Sequence, residues 1–373
     1  MKLFHISDLH LGKKLFDYSL TEDQEYILNS ILNLAAKEKP EAVLISGDVF
    51  DRNVAPTEAL RLFEDFLSGL VTLKIRAFII SGNHDSADRL AFGSRLFGKS
   101  GVYISKVFDG KITPFTIYDE YGEINVYLMP FLKTSHVKRY FGTDVNNISD
   151  AVKTVVDSLQ IDRNARNILL AHQFVTGGVT SGSEESSVGG TDNVDAACFT
   201  AFDYVALGHL HGSQSINNTN IRYSGSPLKY SFSESAKSVT AVELAEKGRI
   251  NIREIPLVPK REMVKIKGLY LKISARDFYK NLNRDDYFHI TLTDEEDMPD
   301  ALGKLRACYP NLMRLEYDNK RTKAGGSVSG DFDAAKYSPI DLFEMLFKKQ
   351  NGKSISPAQR VFTEELIKEV WEE

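Results

Sequence analysis

The chain has 373 residues, more than one hydrophobic core usually supports, so two or three folding units are expected, the largest of roughly two hundred residues or more. Its 42% hydrophobic and 26% charged residues are ordinary for a soluble protein, and no apolar run approaches the roughly 18 residues of a membrane span. A formal net charge of −5 argues against a protein that holds nucleic acid by charge alone, while leaving room for local basic tracks.

In chain order, residues 2–6 read as a strand, 22–38 as an amphipathic helix stopped by Pro40, and Ala42-Val43-Leu44-Ile45-Ser46 as a second, buried strand. Pro56 and Thr57 open a helix to about Leu70, 76–80 form a third strand, and a helix is expected from about Ala87 to Phe97. Strands alternating with helices in this way indicate right-handed βαβ units. After Gly101 the texture shifts to short strands at 111–117 and 124–128, then a helix near 150–159. The apolar runs 167–171 and 204–207 each end in a histidine, and 222–227, 239–244 and 250–255 read as closing strands. The pattern breaks around 256–260. A small α+β unit follows, with strands near 262–267, 287–292 and 312–316 and helices near 274–282 and 299–307. A polar linker begins at Asn319, and two short amphipathic helices, 339–349 and 357–371, carry Leu342, Phe343, Leu346 and Phe347, then Phe362, Leu366, Ile367, Val370 and Trp371 on their apolar faces. A helical pair that short buries little by itself and is expected to dock on something, either its own domain or, as preferred here, another protein.

Cys198 and Cys308 are too few and too distant for a disulfide framework and read as buried thiols. With no signal-peptide pattern before the first motif, a cytoplasmic location is expected. Basic groups occur at Lys13 and Lys14, at Lys133, His136, Lys138 and Arg139, and at Lys260, Arg261, Lys265 and Lys267. Each group alone is read as a solvated face.

The chemistry is concentrated in five clusters: Asp8-Leu9-His10, Gly47-Asp48-Val49-Phe50-Asp51-Arg52, Gly82-Asn83-His84-Asp85, Ala171-His172 and Gly208-His209-Leu210-His211. Nearly all follow short β-like segments, at strand ends, where ligands meet in open α/β sheets. Carboxylates, an amide oxygen and imidazoles without thiolate are the donors of a bridged pair of transition ions, which can clamp the attacking and leaving oxygens of a phosphoryl displacement. Asp48 is the chosen bridge because Gly47 leaves room for close approach. Asp8, His10 and one late histidine would complete the first site, and Asn83 with two histidines the second. Mn²⁺ suits the carboxylate-rich site, and two carboxylates against four positive charges leave an excess of about +2 that attracts a phosphodiester and acidifies a bridging water. His84 fills neither coordination shell and is free to contact the scissile phosphate or protonate the leaving alkoxide. Asp51 is read as accepting a hydrogen bond from the His84 ring and Arg52 as holding phosphate, the alternative for both being solvated turn residues.

Residues 93–100, Gly-Ser-Arg-Leu-Phe-Gly-Lys-Ser, match the letters of a phosphate-binding P-loop, but a helical segment precedes them and a strand follows, the reverse of what the cradle requires, so nucleotide binding there is rejected. The polar stretch 177–193 is either a rim of the metal cleft or an ordinary insertion.

The five clusters in this order resemble the calcineurin-like metallophosphoesterase superfamily. Together with Pro130-Phe131-Leu132-Lys133 and the block from Tyr223-Ser224-Gly225-Ser226-Pro227 to Ser231-Phe232-Ser233-Glu234, they resemble its SbcD branch of bacterial double-strand-break repair nucleases, over most of residues 1–240. The resemblance implies a four-layer β-sandwich flanked by helices at 1–258, a small α+β capping domain at 259–318, a linker at 319–337 and a partner-binding helical segment at 338–373. It implies one Mn²⁺ on Asp8, His10, Asp48 and His211, the other on Asp48, Asn83, His172 and His209, and His84 as catalytic histidine. Manganese-dependent 3′→5′ exonuclease action on duplex DNA, endonuclease action on single strands and hairpins, an SbcC-like ATPase partner and a homodimer follow from the same resemblance. The acidic net charge departs from what a self-sufficient DNA binder would show. The alternative within enzymes is a phosphatase of the same superfamily acting on nucleotides or phosphoproteins. A non-catalytic scaffold, the alternative from another class, would be expected to have lost ligands that are all present here.

Overall fold

The structure is a computed structural model and describes residues 1–142, 145–181, 184, 193–296, 298–320, 322, 338–351 and 354–371. It divides into two compact units, Met1–Met263 and Val264–Glu373.

The first unit holds two six-stranded sheets. One runs Ile250–Leu257, Lys237–Leu244, Lys2–Ile6, Ala42–Ser46, Arg76–Ile80, Val102–Ile104; the other runs Gln214–Ser215, Ile221–Tyr223, Tyr204–Gly208, Arg166–His172, Gly122–Leu128, Phe115–Asp119. The sheets pack through a shared core of Leu3, Leu44, Phe78 and Ile80 from one and Ile124, Val126, Ile168, Leu170 and Ala206 from the other. Residues alternating with these, such as Tyr127, Leu169, Val205 and Leu207, face an outer core with Val152 and Val155 of the helix Ile148–Asp157. Both faces of the central strands are therefore buried, which is why those segments are continuous apolar runs. This is the mixed sandwich flanked by helices.

The strands Lys2–Ile6, Ala42–Ser46 and Arg76–Ile80 lie parallel, as do Gly122–Leu128, Arg166–His172 and Tyr204–Gly208. Their C-terminal ends thus gather on one side, and from there the loops bearing the chemical residues leave. The helices Thr21–Glu38 and Thr57–Thr72 connect the first three strands.

Several elements differ from expectation. The helix at 87–97 is broken at Gly93, whose φ of +73° ends one turn before Ser94–Phe97 begins another. The strand expected from Lys111 starts at Phe115, after Pro114, as half of a hairpin with Gly122–Leu128. The one at 222–227 ends at Tyr223, because Gly225 (φ +75°) turns the chain so that the Ser226 amide donates to the His211 carbonyl. A helix at Thr134–Phe141 carries Lys138 and Arg139 in its last turn, where cations favour the helix dipole. Cys198 and Cys308 are free and half-buried rather than buried.

In the second unit, the sheet order Met263–Gly268, Tyr287–Leu292, Leu312–Tyr317 carries the helix Ala301–Cys308 over a core of Ile266, Phe288, Ile290, Leu305 and Tyr309. The expected helix at 274–282 is two single turns, Tyr270–Ile273 and Arg276–Tyr279, separated by the extended Ala275. The helices Pro339–Asn351 and Pro357–Trp371 are joined by an Arg360–Glu344 ion pair at 2.6 Å. Most of the linker expected at 319–337, the tip of the 177–193 stretch and the side chains of Val370 and Trp371 lie outside the described residues. Among the described residues, no helix is long and apolar enough to cross a membrane.

Candidate metal centre

The site is built where the loops after Ile6 and Ser46 zip together. The amides of Asp8, His10 and Leu11 donate to the carbonyls of Gly47, Asp48 and Val49, and the Asp51 amide donates back to Leu11. Within this pairing Asp8 (φ +54°), His10 (+42°) and Asp48 (+50°) lie in the left-handed region, and His209 (+106°), on the loop after Tyr204–Gly208, also has positive φ. Such strain costs on the order of 1–3 kcal/mol per residue and persists where surrounding structure over-determines it. Gly82 shows the crowding: a Cβ there would lie 2.1 Å from Asp48 Oδ1, and one on Gly47 2.4 Å from His172 Nδ1.

The seven residues expected to hold metal converge. Asp48 Oδ2 lies 3.7 Å from His10 Nε2 on one side and 3.3 Å from His172 Nε2 on the other. Beside His10, His211 Nε2 faces His10 Nε2 at 3.1 Å, and Asp8 completes the group. On the other side, Asn83 Oδ1 lies 3.0 Å from His172 Nε2 and 3.2 Å from His209 Nδ1. Asp8, His10, Asp48, His172 and His211 are buried, and Asn83 and His209 partly so.

These rings are aimed from behind. His172 Nδ1 donates to the Ser46 carbonyl at 2.8 Å, which turns Nε2 into the cluster. Glu234 Oε1 lies 3.4 Å from His211 Nδ1, while Glu184 accepts from the His211 amide at 2.7 Å and Lys237 donates to its carbonyl at 2.7 Å. Gln24 holds the His10 carbonyl at 2.7 Å, and Tyr230 stacks edge-on against the His10 ring. Asp85 accepts from the amides of Gly82, Val49 and Phe50 at 2.9–3.1 Å, tying the loop of Asn83 to that of Asp48. Asp8 accepts from the His209 amide at 3.0 Å.

The electrostatics are those of a site built around positive charge. Burial pushes the carboxyls of Asp8 and Asp85 up to about 6, the nearby Asp48 charge adding to both. Burial also acts on Asp48, but the surrounding imidazoles of His172, His10 and His84 outweigh it and hold Asp48 well below the usual carboxylate range. Burial lowers His209 to about 4 and His10 well below its ordinary value, whereas for His172 the Asp48 charge outweighs burial and raises the ring to about 9. His10 Nδ1 is buried with no hydrogen-bond partner, Asp51 Oδ1 standing 3.6 Å away. Buried carboxylates beside imidazoles whose protonation burial opposes need a counter-charge, and a divalent cation supplies it. The facing nitrogens of His10 and His211 also fit one ion: ligands bonded at about 2.1 Å and at right angles sit about 3.0 Å apart.

His84 stands at the rim, its Nε2 4.0 Å from Asp48 Oδ2, its amide donating to Asp48 Oδ1 at 2.9 Å and its ring a quarter exposed. The expected link to Asp51 exists through a different atom. His84 Nδ1 donates to the Asp51 main-chain carbonyl at 3.1 Å, and the Asp51 carboxylate instead takes Lys13 at 2.6 Å. Lys13 is placed to compete for that carboxylate because it follows His10 on the same zipped loop. Arg52 points outward, its side chain 76% exposed, with Nε 3.7 Å from Asp51. The group at Lys260 and Arg261 is largely neutralised by Glu22 and Asp23. The positioning roles of Asp85, Glu234, Glu184 and Lys237 are not legible in the sequence, although Asp85 and Glu234 lie inside motifs that are.

The family model for calcineurin-like phosphoesterases matches residues 1–213. The chain belongs to the calcineurin-like phosphoesterase family. A second family model, described as the type 5 capsule protein repressor C-terminal domain, matches residues 259–351. The chain is a homologue of the SbcD subunit of the SbcCD nuclease from Staphylococcus epidermidis, 37% identical over 322 residues that make up 84% of this chain and 85% of that protein. Solved structures give weaker likenesses. A dimetal phosphatase from Danio rerio is 11% identical with a TM-score of 0.43, over 68% of this chain and 95% of its own. A Thermus thermophilus protein is 11% identical with a TM-score of 0.37, over 68% and 98%. Neither bears on function.

Proposed function

We propose that this chain is the nuclease subunit of an SbcCD-type complex and hydrolyses DNA phosphodiesters with two divalent ions, Mn²⁺ in the cell. The observation that carries the reading is Asp48, one carboxylate oxygen of which faces a nitrogen ligand from each of two donor sets. Asp8, His10, Asp48 and His211 would hold one ion, and Asp48, Asn83, His172 and His209 the other. Such a pair, when bound, supplies an acidified water and neutralises charge on the phosphoryl oxygens.

The chain's own residues do the rest. Because the Asp51 carbonyl takes Nδ1–H, His84 presents Nε2 to the open side of the centre, where it contacts the scissile phosphate and protonates the departing oxygen. Arg52, exposed beside this rim, holds a neighbouring phosphate. Residues 1–258 form the nuclease domain, 259–318 a cap, 319–337 a linker and 338–373 the docking segment. Phe343, Met345, Leu346, Val361, Phe362 and Leu366 of that segment are 39–63% exposed, which supports docking on an SbcC-like ATPase. A homodimer, 3′→5′ exonuclease action on duplex DNA, endonuclease action on single strands and hairpins, and a cytoplasmic, nucleoid-associated location complete the reading.

The test is incubation of the full chain and Mn²⁺ with end-labelled duplex, hairpin and single-stranded DNA and, separately, p-nitrophenyl phosphate. The reading expects metal-dependent DNA cleavage that EDTA abolishes. Turnover of the phosphomonoester with DNA left intact would establish the phosphatase alternative instead.

A further inference from the structure

A cleft of about 650 Å³ opens at the C-terminal ends of the strands Val102–Ile104 and Gly122–Leu128. The chain leads from it to the metal centre through one segment. Pro130 lines the cleft, and the next residue, Phe131, donates its amide to Ser81, just before the loop of Asn83, and packs edge-on against the His172 ring at 6.2 Å.

Three features of its lining point to one ligand chemistry. Arg95, Lys106 and Lys111 border the cleft, and none has an acidic side-chain partner among the described residues; the single carboxylate in the lining, Asp109, is turned to the Lys111 amide. The cleft is thus electropositive in a chain whose net charge is −5, and selects an anion. Its lining carries the rings of Tyr103 and Phe115, 4.7 Å apart and both part-exposed; one face of Tyr103 is stacked on Phe78 at 5.0 Å, so the pair offers a planar ring the part-exposed surface left on its other side. Ser105, 6% exposed, also lines it, and its hydroxyl oxygen has no hydrogen-bond partner in the structure. A buried hydroxyl left unpaired costs free energy, so a polar group supplied by a ligand belongs there. The string at 93–100 contributes Ser94, Arg95 and Gly98 from short helical turns, not from a phosphate-wrapping loop.

We infer that this cleft binds one unpaired nucleotide of the substrate strand next to the scissile position, with the phosphate among Arg95, Lys106 and Lys111, the base against Tyr103 and Phe115, and Ser105 bonding the sugar or base edge. The inference rests on the nuclease reading for its choice of a strand over a free mononucleotide, since the two share this chemistry and the continuity with the His172 side of the centre favours the strand.

The test uses the full chain in EDTA, so that binding is measured apart from hydrolysis. Fluorescence anisotropy follows a labelled five-nucleotide single strand, with dAMP and deoxyribose 5-phosphate as competitors. The expected results are a strand affinity at least tenfold above that of dAMP, dAMP competing better than deoxyribose 5-phosphate, and a loss of at least tenfold in strand affinity in Lys106→Glu/Lys111→Glu. Circular dichroism checks that variant's fold, and Ser105→Ala, a smaller change, is expected to weaken binding severalfold. Wild-type affinity in the folded double variant overturns the proposal, as does dAMP binding as tightly as the strand. A chain that binds the strand here yet cleaves no DNA with Mn²⁺ refutes the nuclease reading and leaves the cleft standing.

Discussion

Asp85 is the residue whose removal best tests how the loops of the centre are held. Its carboxylate, 7% exposed, accepts from three amides, Gly82 and Phe50 at 2.9 Å and Val49 at 3.1 Å. Asp85→Ala leaves three buried N–H groups without an acceptor. A hydrogen bond to a charged group contributes about 1.5–3 kcal/mol, but the three share one carboxylate and water can enter the space it leaves, so the loss is set at about 3–5 kcal/mol. At about 2–4 °C per kcal/mol for a unit of this size, the melting temperature of the first unit falls by about 6–20 °C. Asp85→Asn keeps one acceptor oxygen but turns an NH₂ toward other donors, and falls between the two. Metal affinity drops with stability, because the tied loops carry Asp48 and Asn83. Calorimetric unfolding of wild type and both variants, with metal titrations at a temperature where all are folded, checks this. A loss below about 1 kcal/mol in Asp85→Ala would refute the reasoning that this carboxylate holds the loops together.

Three further outcomes follow from the same geometry. His84→Gln lowers cleavage about 10²–10⁴-fold while leaving metal affinity within a fewfold of wild type, measured by single-turnover kinetics and calorimetric titration, because its ring sits at the rim and belongs to neither proposed donor set, although His10, Asp48 and His84 also lie close enough together to hold an ion. Glu234→Gln weakens the ion on the His10 and His211 side by about 10–100-fold and spares the other, since Glu234 faces the His211 ring and its other partners, Lys237, Tyr230 and Ser226, support that same side; manganese titration followed by electron paramagnetic resonance reads the two sites. The Asp119 side chain, 7% exposed, pairs with Arg166 and the N-terminal amine. Burial alone would raise its carboxyl, yet these partners hold it well below the usual range. Its folded value lies below its unfolded value of about 3.9, so the stability it contributes is present above that pH and lost as pH falls. Asp119→Asn accordingly costs about 3 kcal/mol at pH 7, and the gap to wild type in urea unfolding narrows below about pH 3.5.

The core strands were legible because both of their faces are buried, so that Val43-Leu44-Ile45 and Ile168-Leu169-Leu170 declare themselves without an alternation to decode. That the residues expected to hold metal would converge was legible for a related reason: parallel strands deliver their C-terminal ends to one side, so motifs at several strand ends imply a common site. What escaped is tertiary. Glu234 meets His211 across 23 residues and Asp85 meets Phe50 across 35, contacts that no local pattern encodes. Asp51 is indeed a neighbour of His84 but through a different oxygen, since spacing along a loop does not say whether a carboxylate or a carbonyl turns inward. The basic group at Lys260 and Arg261 reads as free charge until the fold brings Glu22 and Asp23 to it from 238 residues away. Gly93 and Pro114, both visible in the sequence, moved boundaries because a single residue outweighs the periodicity around it.

The central claim is that Asp48 is shared between two ions, and anomalous diffraction at the manganese edge from crystals grown with Mn²⁺ tests it most directly. The account predicts two peaks about 3.5–4 Å apart, one ringed by Asp8, His10 and His211, the other by Asn83, His172 and His209, with Asp48 ligating both. A single peak, or a pair with Asp48 bound to one ion alone, would contradict it.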